Sequence, residues 1–381
     1  MIDYGLVLNT LILNYVKGVV LVKVAIMGAG LAGLSCAVLL EQYGIVPDIY
    51  EAQYKIGARF TNGEAIMNIL DFPVEDCFSY LDRKYKVKLK PINTLESLVI
   101  HGPEDSALIE GELGYITSRG NHPCALEVQL GDISKAPVFT NNYYTIDDLK
   151  GKYDVVVVAT GNSNEPKRQR IWETDIVANI IGASIRGTFN PHQAEVWLND
   201  TYAPQGYCFL LPYHSNIASL CVAVPGTEGV NLELLWQKFL ATLHFQFSIK
   251  DTFTLHSFQI GRNKSLVSQN LVFVGHAGGF VMPFLGFGQF TSMLSGFEAA
   301  IAIAGGNLQS YVEAMQPLID SYYPSLKIRR LLASLDNNKY NLLVRILKNK
   351  YANTTFSKFP IPILKLAASV LDPFMARNAD L

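Results

Sequence analysis

One segment near the N-terminus constrains the chain more than any other. Residues 22–51 read VKVAIMGAGLAGLSCAVLLEQYGIVPDIYE. Val22 to Met27 is a short apolar, β-branched run suited to a buried parallel strand. Gly28, Gly30 and Gly33 follow as GxGxxG, and Leu31 to Tyr43 carries apolar residues at helical spacing, with Gly44 placed to end the helix. Val46 to Tyr50 reads as a second strand, closed by Glu51. Each glycine answers a different steric need: Gly28 the tight turn, Gly30 the approach of backbone to a pyrophosphate, Gly33 the close packing of helix on strand. Leu31 and Ala32 open a helix whose free N–H groups and positive dipole end suit phosphate. Glu51 stands where a carboxylate accepts from ribose hydroxyls. Strand, glycine turn, helix, strand and acid in this order predict a dinucleotide-binding βαβ unit rather than a plain tight turn.

Two later segments return to that unit. Residues 153–163 (YDVVVVATGNS) read as a β-branched strand ending in a small-residue turn. Residues 270–300 (NLVFVGHAGGFVMPFLGFGQFTSMLSGFEAA) read as strand, glycine-rich turn, Pro–Gly loop and a helix from about Gln289. Composition bounds the rest. Hydrophobic residues make up 49% and charged ones 17%, and the net charge is −2. That excludes a disordered chain and leaves no basic field for a nucleic-acid partner. So much apolar surface calls for a large core, a membrane contact or an apolar ligand. Five cysteines without a CxxC pair, and seven histidines without HxxxH or HExxH, give no disulfide framework and no metal site. Residues 4–22 are apolar but contain Asn9, Asn14 and Lys17, which disfavour a membrane span.

Residues 270–300 resemble the second flavin motif of the FAD-dependent p-hydroxybenzoate-hydroxylase-like superfamily. Within it they resemble the geranylgeranyl reductase family, whose pattern is GDAAGFxxPxxGxGxxxAxxSGxxAA. Gly275, Ala277, Gly279, Phe280, Pro283, Gly286, Gly288, Ser295, Gly296, Ala299 and Ala300 fall on that pattern. Residues 56–66 (IGARFTNGEAI) resemble the family's stretch beside the flavin, 114–130 its strand–Arg–helix segment, and 204–212 (PQGYCFLLP) its PxxYxWxFP strand.

The resemblance implies FAD as cofactor. Gly275 and Gly279 would then meet the ribitol and pyrophosphate, while Gly286, Phe287 and Gly288 would line the isoalloxazine. Arg119 would approach the cofactor or close the cleft. Tyr207, Phe209 and Leu211, with Phe280, Met282 and Phe284, would line an isoprenoid cavity. The departures are specific. His276 replaces the family's ribitol-binding Asp and is expected to bond the same hydroxyl, so that His276→Asp should preserve or tighten binding. Thr61 and Asn62 lie near the place of an active-site Cys, Ala52 replaces an Arg, and Thr160–Gly161 replaces the hydroxylases' Asp-Gly.

The expected fold is an α/β composite. A Rossmann-like FAD-binding domain (22–75, 111–165 and 252–320) interleaves with an antiparallel-sheet substrate domain (76–110 and 166–251). A helical region (321–381) follows, and residues 1–21 form an extension of unclear status. The expected activity is hydride transfer from reduced flavin N5 to a C=C bond of a prenyl lipid, with NAD(P)H or a redox protein as donor. An unactivated alkene offers a charged residue no handle, so the protein would supply orientation and exclude water. The alternatives are a monooxygenase or halogenase on an apolar substrate, or a lipid-binding relative with altered chemistry. The missing Asp-Gly and the scattering of Trp172, Trp197 and Trp236 speak against the former pair. Residues 326–349 alternate basic and apolar residues, which fits a surface helix packed on its apolar face or one resting on a membrane surface. The expected place is the cytoplasm, with membrane association as the second reading.

Overall fold

The computed structural model describes residues 22–67, 76–226 and 230–348. The N-terminal stretch 1–21 and the apolar tail at 359–375 lie outside them. In chain order the first elements are β1 (Val24–Met27), α1 (Leu31–Gln42), β2 (Asp48–Tyr50), β3 (Asn62–Met67), α2 (Cys77–Tyr85), β4 (Asn93–His101), β5 (Ser106–Arg119) and α3 (Leu126–Ile133). Next come β6 (Val138–Phe139), α4 (Ile146–Leu149), β7 (Val155–Val158), α5 (Asn164–Arg168), β8 (Trp172–Arg186), β9 (Gln193–Trp197), β10 (Tyr207–His214) and β11 (Ile217–Pro225). The last are α6 (Leu232–Leu240), β12 (Ser248–Asn263), β13 (Val267–Ser268), β14 (Leu271–Phe273), α7 (Gln289–Ala304), α8 (Gln309–Ala333) and α9 (Asn337–Leu347).

Two sheets organise these elements. The first has the order β13-β14-β7-β1-β2-β6 and is parallel except at its β13 edge. Its central strands, VAIM and VVVV, are buried along their whole length, as strands covered on both faces require. The second has the order β12-β8-β11-β10-β9-β4-β5-β3 and is antiparallel except where β4 meets β9.

The opening βαβ unit forms as its sequence demands. Gly44 adopts φ +79° beyond α1, and the Gly44 and Ile45 N–H groups bond back to Glu41 and Leu40 oxygens, which stops the helix cleanly. Helix α1 then packs face to face with α7. A Cβ at Gly296 would sit 2.1 Å from the Ala32 carbonyl oxygen, so the two backbones touch where only hydrogen fits.

The structure moves several segments across the expected boundaries. Residues 62–67, 111–119 and 252–263, grouped by sequence with the cofactor domain, are strands of the second sheet. Residues 77–85, grouped with the substrate domain, bury Cys77, Phe78, Leu81 and Tyr85 in the core around α1 and α7. Tyr85 stacks on Phe297 at 4.4 Å, and its hydroxyl donates to Glu298. Strand β8 runs through an internal glycine. At Gly182 a Cβ would meet Cys221 Sγ and the Phe253 ring, each at 2.6 Å, so cross-strand side chains fill the space instead.

The basic-apolar run 326–349 is not one helix. It is the end of α8 and all of α9, separated at Ser334–Asp336, where the Asp336 carboxylate caps the Lys339 N–H. Leu332, Tyr340, Leu343, Val344 and Leu347 pack on the second sheet, while Leu342 and Ile346 stay exposed. Among the described residues no helix is long and apolar enough to cross a membrane.

Candidate active site

The first glycine turn is threaded between strand ends. Gly28 has φ +110°, donates to the Tyr50 carbonyl at 2.8 Å, and has room for a Cβ only 2.4 Å from the Ala159 oxygen. A Cβ at Gly33 would lie 2.0 Å from the Gly28 oxygen. These two glycines therefore serve packing. Gly30 differs: nothing lies within 4 Å of where its Cβ would be. Helix α1 begins there with no side-chain cap, so its first N–H groups are left open. Glu51 is held beside the turn, one carboxylate oxygen accepting from Ala29 N–H and the other from Gln53 N–H, both at 2.8 Å.

Helix α7 repeats the arrangement. Gly288 stands at its N-terminus, again without a side-chain cap, and Gln289 and Ser292 line the same space as Gly30, Leu31 and Ala32. Two uncapped helix starts thus face one cavity, each presenting unpaired donors and a positive dipole end.

That cavity has a volume of about 660 Å³. From Gly30, Gly161, Gly275 and His276 it passes Phe284, Gly286, Phe287 and Gly288 and reaches the inner face of the second sheet at Tyr207, Phe209 and Leu211. Leu98, Ile100 and Val196 continue that apolar wall, and Leu332, Leu343 and Leu347 of α8 and α9 complete it. Tyr207 donates to the Leu285 carbonyl at 2.6 Å and so ties the Pro283–Gly288 loop to β10. Burial pushes its phenol up to about 12, which keeps it a neutral donor.

Other expected residues stand off the cavity wall. Phe280 is 2% exposed in the core beside α7, and Met282 packs against that core from outside. Gly279 has φ +84°, and a Cβ there would lie 2.9 Å from the Asn263 nitrogen, so it lets the turn pass under β12.

His276 lines the cavity, but its ring is already engaged. Nδ1 lies 2.9 Å from the Gly161 carbonyl oxygen and Nε2 lies 2.5 Å from that of Gln259. The side chain is a strut between the β7 turn and β12. A carboxylate in its place would face two carbonyl oxygens, so His276→Asp is expected to loosen the site, contrary to the sequence expectation. Burial holds the imidazole pKa below its ordinary value, although both carbonyls oppose this. The unfolded chain then takes up a proton that the folded chain does not, so stability falls as the pH drops through the ordinary histidine value of about 6.5. His122 shares the direction. Denaturant midpoints measured from pH 7 down to pH 5 should therefore fall more for the wild type than for His276→Gln.

Arg119 lies on the cavity wall, and sequence reasoning missed the charged cluster around it. Strand β3 pairs Asn62 with Arg119 of β5. This brings Arg59, Asn62 and Glu64 to Arg119, all four lining the cavity. Arg119 Nε lies 3.0 Å from both oxygens of Glu127, and Glu127 also accepts from Gly120 N–H at 2.8 Å. Asn62 donates to Glu64 at 3.0 Å, and Arg59 and Arg119 each approach Glu64 at 3.8 Å. Burial opposes the Arg119 charge, but Glu127 and Glu64 outweigh it and hold its pKa above the ordinary value. Burial and the neighbouring Arg119 push Arg59 down, offset only in part by the two carboxylates. The NGE stretch at 62–64 was the available signal; Arg119 and Glu127 lie more than fifty residues away.

Residues 26–86 match the NAD(P)-binding Rossmann-like domain. No curated protein matches the chain. Solved structures share its fold at low identity. A geranylgeranyl bacteriochlorophyll reductase-like protein from Thermoplasma acidophilum superposes with a TM-score of 0.70 at 15% identity, over 92% of this chain and 98% of that one. The flavin-dependent halogenase CmlS gives 0.63 at 12% identity, over 95% and 78%. A mutant of the halogenase PltM in complex with FAD gives 0.66 at 12% identity, over 95% and 93%. The chain thus carries a Rossmann-like nucleotide-binding unit within the fold that these proteins share.

Proposed function

We propose that the protein is an FAD-dependent oxidoreductase that saturates C=C bonds of a prenyl-type lipid. One observation carries this reading: a continuous cavity joins two uncapped helix starts and an open glycine turn to a wall of apolar side chains. The residues present fit the cofactor. Gly30, Leu31, Ala32 and Glu51 would hold its ADP half, and Gly275, Gly286, Phe287 and Gly288 the flavin half. When bound, FAD supplies a hydride that the chain's own side chains cannot.

The rest of the task falls to the protein. Phe209, Leu211, Leu98 and Val196 orient an apolar chain and keep water from it. Tyr207 fixes the loop that carries Gly286 to Gly288. Asn62 and Glu64, bonded to each other on the wall, would give the accompanying proton a polar route into the cavity. NAD(P)H or a redox protein would renew the reducing equivalents. The fold shared with the reductase-like protein supports this reading.

The likeness to two halogenases favours a second reading, oxygen-dependent halogenation of an apolar substrate. Product analysis separates them. Incubated without oxygen with a chemical reductant and geranylgeraniol, the protein should yield a product richer by two hydrogens per saturated bond. A product formed only with oxygen and bromide, carrying bromine and its original double bonds, would replace the reductase reading with the halogenase one.

A further inference from the structure

The cations on the cavity wall are not equally compensated. Arg59 and Arg119 have Glu64 and Glu127 beside them. Arg329 of α8 also lines the cavity and is only 7% exposed, yet no carboxylate of the described residues pairs with it. Its Nη2 donates to the Gln205 carbonyl, while Nη1 is buried without a hydrogen-bond partner. Its ionisable neighbours are the phenols of Tyr207 and Tyr340. Both phenols donate to backbone carbonyls, of Leu285 and Leu332, and neither phenolic oxygen accepts from Nη1. Burial lowers the Arg329 pKa, but an arginine stays charged in proteins. A buried guanidinium with an unmet donor is costly unless an anion completes it. Its place near the C-terminus of α8 suits the helix dipole but leaves Nη1 unmet.

We propose that Arg329 is the anion-binding residue of the cavity, and that the ligand is an amphiphile whose apolar body lies on the β4–β9–β10 wall while a carboxylate or phosphate head pairs with Nη1. This rests on the reading of the cavity as a lipid site and adds the head-group chemistry to it. A bidentate-capable guanidinium suits either oxyanion better than a neutral alcohol or a cationic head.

The test is calorimetric titration of the full-length protein with dodecanoate, dodecyl phosphate and dodecanol below their micellar concentrations. The wild type should bind at least one anion about tenfold tighter than the alcohol, a margin typical of one charge-assisted hydrogen bond. Arg329→Met should remove that preference without weakening dodecanol, and Arg329→Lys should retain part of it. Preference for dodecyl phosphate alone would assign a phosphate head; preference for both anions, any oxyanion. Equal binding of all three probes by the wild type overturns the proposal while leaving the lipid cavity standing, and so does an unchanged preference in Arg329→Met. Should Arg329→Met fail to fold, the wild-type comparison still decides. If the wild type binds none of the three, the lipid reading of the cavity fails, and the proposal with it.

Discussion

Gly30→Val is expected to give a folded protein that no longer retains a dinucleotide. The position is extended, with φ −90° and ψ −171°, a conformation valine adopts readily. No atom lies within 4 Å of the new Cβ, so the fold has no reason to object. The same emptiness is the approach path to the uncapped start of α1, and a branched side chain there occupies the place of a pyrophosphate. Melting temperature should stay near the wild-type value, while flavin co-purification falls by about two orders of magnitude or more in affinity terms. Gly33→Ala makes the contrast. Its Cβ would lie 2.0 Å from the Gly28 oxygen, so that variant should lose the fold together with the cofactor. Stoichiometric flavin in folded Gly30→Val would refute the placement of the pyrophosphate.

A large but measurable loss of stability is expected from Glu127→Ala. Glu127 is 2% exposed in the first turn of α3 and meets both Arg119 Nε and the Gly120 N–H. Removing it leaves the Arg119 guanidinium buried, next to Arg59, with only Glu64 at 3.8 Å to offset two positive charges. Breaking a buried pair from one side costs about 3–5 kcal/mol. Chemical denaturation of Glu127→Ala should show a loss of that size. Glu127→Gln, which keeps an acceptor for Gly120, should lose less. Replacing Arg119 and Glu127 together by apolar residues should recover much of the deficit, because the penalty lies in the orphaned charge rather than in the missing pair. A single-variant loss within the range of ordinary surface changes, about 0.5 kcal/mol, would show that the cluster is not the closed electrostatic unit described here.

What could be read from the sequence follows from how local each constraint is. The turn at 28–33 announces itself because its steric demands fall on residues a few positions apart. Tyr207, Phe209 and Leu211 were expected as one wall from the resemblance of residues 204–212 to the PxxYxWxFP strand, and as alternate residues of β10 they do share a face. Phe280 was misplaced for the opposite reason: its neighbours 283–288 line the cavity, but its own side chain turns into the core around α7. The cluster from Arg59 to Glu127 was hidden because only the β3–β5 register creates it. Arg329 was hidden by its context. In a run of alternating basic and apolar residues every arginine reads as solvated, and only the packing of α8 over Gln205 and Tyr207 shows that this one is not.

The central claim is that one cavity brings a flavin and an apolar alkene together. The direct test is the visible spectrum of the purified protein, loaded with FAD, reduced under strict anaerobiosis and then mixed with geranylgeraniol or its phosphate. The account predicts that the absorbance of oxidised flavin returns without oxygen, in proportion to the saturated product formed. A protein that takes up no flavin, or one whose reduced flavin stays bleached until oxygen is admitted, would contradict it.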